Sequence, residues 1–168
     1  MELTFQKLNE FEAAGVVTRY AVAGAFALSF YSEPVVTFDL DVFVSLPDAT
    51  SKLVTLTPIY DHFRALGCEE QREHIVIHGT PVQFIPAYNP LIEETVREAK
   101  DMSFKSLRVR VARLEHLFAI MLQTGRSKDS ARLAQLIPDT SFDKPLFEAI
   151  LARHYLGPAW AKFQSRFL

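Results

Sequence analysis

Two aspartates stand two residues apart in an otherwise apolar stretch of the chain. Asp39 and Asp41 lie within residues 37–44, TFDLDVFV, and the alternation around them predicts a β-strand over 37–45. Residues two apart on a strand point to the same face, so we expect the two carboxylates within a few ångströms of each other. Like charges this close repel, and one would be neutralised unless a cation lies between them. Carboxylate oxygen pairs suit a hard divalent ion such as Mg²⁺, so this spacing indicates a metal site.

A glycine marks the turn between a strand and a helix, fifteen residues before the first of these aspartates. Gly24 and Ala25 follow a predicted buried strand over 17–23, and a helix is predicted directly after it, over 25–31. Unpaired backbone N–H groups at a helix start bind phosphate, and small residues let the phosphate approach. Strand–glycine–helix turns are common, and an Asp-x-Asp pair can lie on a solvated strand edge. The two features together, in this order, favour a function.

A third group of charged residues opens a helix in the second half of the chain. Arg126 and Lys128 follow Gly125, Ser127 is the predicted helix cap, and Asp129 could orient one of the two cations. The cations could meet a triphosphate or a nucleic-acid backbone. A capped, solvent-facing turn is an equally weighted alternative.

The elements that must position these residues form an α+β, mixed α/β pattern, with mixed strands first and a run of helices after them. Helices are predicted over 3–14, 25–31, 57–67, 90–99, 114–124, 127–137, 145–156 and 158–167, strands over 17–23, 37–45, 74–78, 82–85 and 106–111, and a loop over 46–55. We expect a mixed sheet flanked by helices over residues 1–112 and a helical region over 113–168, packed together as one unit.

Composition narrows the class of protein. The chain has 168 residues, 49% of them hydrophobic, which excludes disorder as its main character. Its net charge of −2 is the sum of two parts of opposite charge. Residues 1–95 hold 13 acidic and 5 basic side chains, whereas residues 96–168 hold 7 acidic and 13 basic ones. Cys68 is the only cysteine, and no apolar run suits a membrane span, so we expect a cytoplasmic protein without membrane contact. His74 and His78 share a predicted strand face without an evident third ligand, and are interpreted as structural or surface residues.

Two segments together resemble the nucleotidyltransferase fold, the polymerase-beta-like superfamily. The first runs from AGAFAL at 23–28 to TFDLDV at 37–42, and matches the family's glycine helix start followed by Asp-x-Asp on a strand. The second comprises LEHL at 114–117, GRSKD at 125–129 and LAQL at 133–136, and is similar to small bacterial members of the minimal nucleotidyltransferase and abortive-infection toxin-like branch. The resemblance spans about residues 20–137.

This resemblance implies a role for each matching position. Asp39 and Asp41 would bind Mg²⁺ and the nucleotide phosphates, and Gly24 and Ala25 would form the phosphate-facing turn. The family often has Gly or Ser where Ala25 stands. A third carboxylate is expected where Gln83 stands, and a neutral amide is a poorer Mg²⁺ ligand and no general base.

The implied reaction transfers a nucleoside monophosphate from an NTP to an acceptor hydroxyl, on a protein, a tRNA end or a small molecule. The alternative is a catalytically degenerate module of the same fold that binds a nucleotide or a partner. A toxin–antitoxin pair, with an antitoxin or a second copy of the chain as partner, is a further reading that the resemblance permits.

Overall fold

A seven-stranded mixed sheet forms the centre of the molecule. The computed structural model describes residues 1–33, 36–47 and 55–168. Within these ranges the helices are α1 Glu2–Ala13, α2 Gly24–Leu28, α3 Thr57–Ala65, α4 Pro90–Arg97, α5 Leu114–Thr124, α6 Ser127–Asp139, α7 Lys144–Arg153 and α8 Gly157–Phe167. The strands are β1 Arg19–Val22, β2 Leu40–Ser45, β3 Glu69–Gln71, β4 His74–Ile77, β5 Thr80–Pro86, β6 Lys100–Phe104 and β7 Leu107–Val111. The predicted mixed α/β class is confirmed.

Strand β2 lies in the middle of the sheet, whose order is β3-β4-β5-β2-β1-β7-β6. It pairs antiparallel with β1 and parallel with β5, and the register sets Asp41 opposite Gln83. Strands β4 and β5 form an antiparallel hairpin in which Ile75 lies opposite Val82. Directly opposed residues share a face of the sheet, so Asp41 and Gln83 point to the same side.

The opposite side of β5 packs into an aromatic core under α1 and α3. The ring centroids of Phe11 and Phe63 are 5.1 Å apart, and those of Phe63 and Phe84 are 5.3 Å apart. Phe11 and Phe63 are fully buried and Phe84 is nearly so. This packing fixes which face of β5 is apolar, and therefore which face is left for Gln83.

A buried carboxylate joins the C-terminal helices to the sheet-covering helix α4. Glu94 accepts hydrogen bonds from Arg153 at 2.5 Å, and lies 2.7 Å from His154 Nε2 and 3.2 Å from His116 Nε2. Burial alone would raise the pKa of the Glu94 carboxyl, but the hydrogen bonds from Arg153, His154 and His116 outweigh it and hold this pKa at about 2. The network connects α4, α5 and α7. The division at residue 112 stays a prediction.

The strand prediction around Asp39 is wrong at its first residues. The predicted strand begins at residue 37, whereas β2 begins at Leu40 and Phe38 is 89% exposed. The Thr37 hydroxyl lies 2.8 Å from Asp39 Oδ1 and 3.2 Å from the Asp39 carbonyl oxygen. Such local side-chain hydrogen bonds compete with the strand ladder and hold the segment in a bend.

Two strands were not predicted, and one predicted loop cannot be compared. Strands β3 and β6 lie at the two edges of the sheet. The sequence of β3, EEQ, has no apolar residue, and that of β6, KDMSF, has only Met102 and Phe104, too short an alternation to predict a strand. The loop predicted over 46–55 lies mostly outside the described residues. No helix in the described ranges has the length and apolar character to cross a membrane.

Candidate active site

The residues singled out in the sequence meet in one cavity of about 470 Å³. Strands β2 and β5 form its floor, the start of α2 lies at one side, and α5 and the start of α6 close the other. Its lining includes all six residues for which the sequence predicts a role, namely Gly24, Ala25, Asp39, Asp41, Arg126 and Lys128. It also includes Gln83, Tyr88, Asp129 and Arg132. The acidic first half and the basic second half of the chain therefore face each other here.

Gly24 is required by its contact with Asp41. Its φ is +59°, a conformation that residues with a β-carbon rarely adopt. A β-carbon added there would overlap Oδ2 of Asp41 and lie 2.8 Å from its Cγ. The backbone N–H of the preceding Ala23 donates to the Asp41 carbonyl oxygen at 2.8 Å, which fixes the strand against the turn. The carboxylate of Asp41 therefore rests directly on the glycine.

Helix α2 is short, which limits what its N-terminus can contribute to anion binding. It has five residues, Gly24–Leu28, and no side chain caps its start. A short helix sums few peptide dipoles. Binding of phosphate by Gly24 and Ala25 remains a prediction. The close approach of the Asp41 carboxylate independently explains why position 24 is a glycine.

The two aspartates differ in exposure and in electrostatic environment. The side chain of Asp39 is 45% exposed, whereas Asp41 lies deeper in the cavity. Burial raises the pKa of the Asp41 carboxyl and the charge of Asp39 raises it further, while Arg126, His74 and Lys128 act to lower it. Because the charged form of the Asp41 carboxyl is disfavoured here, a cation bound between the two aspartates would stabilise it.

Arg126 is held toward the cavity by a buried partner. Its Nε donates to Asp129 Oδ2 at 2.6 Å and its Nη2 to Oδ1 at 3.3 Å, and only 5% of the Asp129 side chain is exposed. This hydrogen bonding raises the pKa of Arg126, opposed by burial, and Asp41 contributes further. The two-point contact fixes the plane of a guanidinium that is itself 59% exposed. Arg126 is therefore an oriented cation that a ligand can reach.

His74, interpreted from the sequence as a structural or surface residue, lies beside this site. Its Nε2 lies 3.7 Å from Asp39 Oδ2. The atom is buried and has no hydrogen-bond partner among the residues that the structure describes. The signal was present in the hairpin: continuing the register from Ile75 and Val82 sets His74 opposite Gln83, which is opposite Asp41.

The donor set fits a divalent cation in its chemistry. Two carboxylates and a buried imidazole nitrogen without a partner are metal-ligand types, and the raised pKa of the Asp41 carboxyl shows a charge that a cation would stabilise. In the described part of the chain, no three His, Cys, Asp or Glu side chains are yet gathered closely enough to form a metal centre. Binding a cation would therefore require side chains to move together.

Comparison with known proteins places the fold. No family model matches the chain, and no curated protein matches it. Among solved structures it is similar to an antigenic nucleotidyltransferase-like protein from Paracoccidioides brasiliensis, with a TM-score of 0.59, 11% identity, and coverage of 96% of this chain and 90% of that one. It also matches a protein from Thermotoga maritima, TM1012, described as a nucleotidyltransferase, with a TM-score of 0.49, 14% identity, and coverage of 77% and 88%. A further match is ANT(2″)-Ia in complex with adenylyl-2″-tobramycin, with a TM-score of 0.46, 14% identity, and coverage of 97% and 96%.

The chain has the nucleotidyltransferase fold, as the resemblance in its sequence implied. At these identities the likeness extends to the fold alone. The small bacterial, abortive-infection toxin-like branch stays a prediction.

Proposed function

We propose that this protein is a metal-dependent nucleotidyltransferase that moves a nucleoside monophosphate from an NTP to an acceptor hydroxyl. The observation that carries the proposal is the meeting, in one cavity, of Asp39 and Asp41 with the oriented cation Arg126. Carboxylates at one end and cations at the other match a ligand made of a metal ion and a triphosphate.

In this reaction the acceptor oxygen bonds to the α-phosphorus of the NTP while the bond between that phosphorus and the bridging oxygen of the leaving group breaks. Pyrophosphate leaves with the electron pair of the broken bond, and the hydroxyl proton passes to water. A divalent ion held by Asp39 and Asp41 would lower the charge on the phosphates. Arg126, Lys128 and Arg132 line the cavity where the β- and γ-phosphates would extend, and would offset their charge.

One side of the cavity is apolar and is suited to bind the nucleobase of the NTP. Beside Tyr88, which is 65% exposed, the cavity is lined by four apolar side chains, those of Ile92, Leu117, Ile120 and Met121. A planar base could pack on this wall with Tyr88 over its face. The acceptor, a protein, a tRNA end or a small molecule, would enter from the open side near Asp39.

Gln83 favours a second candidate function, a module that binds a nucleotide or a partner without turnover. It occupies the position directly opposite Asp41, where a third carboxylate would share the face of the sheet. A neutral amide brings no negative charge to a metal and cannot accept a proton as a base. The link to the abortive-infection branch, and with it an antitoxin partner, stays a prediction.

Label transfer distinguishes the two candidates. The purified chain is incubated with α-³²P-labelled NTPs, Mg²⁺ or Mn²⁺, and a lysate that is then separated into protein, RNA and small-molecule fractions. Transfer to one fraction that is lost in the variant Asp39→Asn/Asp41→Asn supports the enzyme. Metal-dependent binding of NTP without any transfer supports the binding module, and equal transfer by wild type and variant overturns the assignment of the site.

A further inference from the structure

His74 stands at the end of a row of polar side chains that crosses three neighbouring strands. Asp41 on β2 is opposite Gln83 on β5, and the hairpin register continues from Ile75 opposite Val82 to His74 opposite Gln83. Opposed residues project to the same face of a sheet. His74 therefore belongs to the face of the sheet that carries Asp41, on the strand beyond Gln83.

The imidazole approaches the aspartates through Nε2. This nitrogen lies 3.7 Å from Asp39 Oδ2, which is beyond hydrogen-bond distance. It is buried, and no other group in the described ranges bonds to it. A buried nitrogen that has lost its water without gaining a partner carries an energetic cost, and that cost needs an explanation in a folded protein.

We propose that His74 is the third protein ligand, through Nε2, of the divalent metal ion bound by Asp39 and Asp41. This inference rests on the proposed function, since it takes the metal at the two aspartates as given. Gln83 lies between His74 and Asp41 and offers only the weak donor of a neutral amide oxygen, whereas the imidazole beyond it offers a stronger nitrogen donor. One nitrogen with two carboxylates favours Mn²⁺ over Mg²⁺ relative to an all-oxygen set, because imidazole is a softer donor.

The proposal includes a small movement of side chains on binding. Asp39 is the group with freedom to move, since it lies before the first residue of β2 and its side chain is 45% exposed. His74 is fixed within a strand, and Asp41 rests on Gly24. We expect the Asp39 carboxylate to close the gap to His74 when the ion binds.

A metal-bound imidazole can be detected directly. The full-length chain is loaded with Mn²⁺ alone, without nucleotide, and electron spin echo envelope modulation is recorded. The expected result is a ¹⁴N coupling of the kind given by a coordinated imidazole, absent in Asp39→Asn/Asp41→Asn and in His74→Asn. Calorimetric titration should show Mn²⁺ affinity at least tenfold lower in His74→Asn. His78→Asn, which changes the exposed histidine in the turn directly after β4, should leave both readouts unchanged.

The outcomes separate this proposal from the one on which it rests. Mn²⁺ binding that needs the two aspartates but shows no ¹⁴N coupling overturns the role of His74 and leaves the proposed function standing. His74 would then be only a neighbour of Asp39, with its Nε2 3.7 Å from Asp39 Oδ2. Absence of any aspartate-dependent binding of Mn²⁺ or Mg²⁺ overturns both. The spectrum of the wild-type chain decides the question even if the His74 variant does not fold.

Discussion

Replacing Gly24 by alanine tests how tightly the turn and the aspartate are fitted together. Two costs are expected from the structure. The left-handed backbone, at a φ of +59°, costs an alanine about 1–2 kcal/mol. The added β-carbon also overlaps Asp41 Oδ2 and lies 3.0 Å from Asp41 Cβ, so turning the carboxylate away relieves only part of the clash. Overpacking of this kind adds about 1–3 kcal/mol, and the whole loss should reach about 2–5 kcal/mol.

Gly15 provides the matched control. Its φ is +73°, and within the described residues nothing lies within 4 Å of a β-carbon added there. Gly15→Ala should therefore lose only the backbone cost, which corresponds to a fall in Tm of about 2–8 °C for a chain of this size. Urea denaturation of both variants measures the difference in the free energy of unfolding.

A double-mutant cycle assigns the extra cost to Asp41. In an Asp41→Ala background, the change at Gly24 should cost about 1 kcal/mol less than in the wild type, because the carboxylate is gone. Gly24→Ala should also abolish stabilisation by Mg²⁺ and nucleotide, while Gly15→Ala retains it. The reasoning is refuted if the two glycine variants are equally destabilised and both keep the ligand-induced rise in Tm.

Three further perturbations follow from the charged groups. Asp41→Asn should leave the free energy of unfolding in metal-free buffer at pH 7 unchanged or raised, since it removes a carboxylate whose charge burial disfavours, yet it should abolish stabilisation by metal. Asp129→Asn should release the guanidinium of Arg126 and weaken triphosphate binding by about tenfold, measured by calorimetry. Glu94→Gln should lower the free energy of unfolding near pH 7 by about 2–3 kcal/mol, since it removes the charged acceptor of three hydrogen bonds. The wild type should lose stability as pH falls below 6.5, because burial lowers the pKa of His116 in the folded state and protonation then favours the unfolded chain. It should lose stability again as pH falls from 4.5 toward 2, because the pKa of Glu94 is held at about 2 in the folded state.

Each of these three has a comparison that can contradict it. A marked loss of metal-free stability in Asp41→Asn would show that the carboxylate stabilises the fold. Asp139→Asn, at the exposed end of the same helix as Asp129, should leave triphosphate binding unchanged, and an equal loss in both variants would remove the positioning role of Asp129. The pH series is contradicted if Glu94→Gln loses as much stability as the wild type between pH 4.5 and 2.

The sequence predicted the elements around the site because their signals are local. Gly24 ends a buried strand, Pro90 follows the cap Asn89, and Gly125 closes α5, each at a position where backbone chemistry alone indicates a boundary. Strands β3 and β6 were missed because short edge strands with few apolar residues are defined by pairing with a neighbour, which composition does not encode.

The candidate site was predictable where it depends on spacing and unpredictable where it depends on register. Asp39 and Asp41 stand two apart in the sequence, yet only Asp41 lies in strand β2, which begins at Leu40. The hydrogen bond between the Thr37 hydroxyl and Asp39 holds Asp39 in a bend before the strand. His74 is brought to Asp39 by two strand pairings in succession. Such a contact follows from how three strands are aligned, and alignment is a property of the whole sheet.

Calorimetric titration with a non-hydrolysable NTP analogue and a divalent ion tests the central claim, that the aspartates and Arg126 form one metal–nucleotide site. The wild type should bind the analogue only when Mg²⁺ or Mn²⁺ is present. The double variant Asp39→Asn/Asp41→Asn should not bind the analogue at all, once circular dichroism has shown that the variant is folded. Binding of equal affinity by wild type and double variant, or binding by the wild type that does not depend on metal, would contradict the claim.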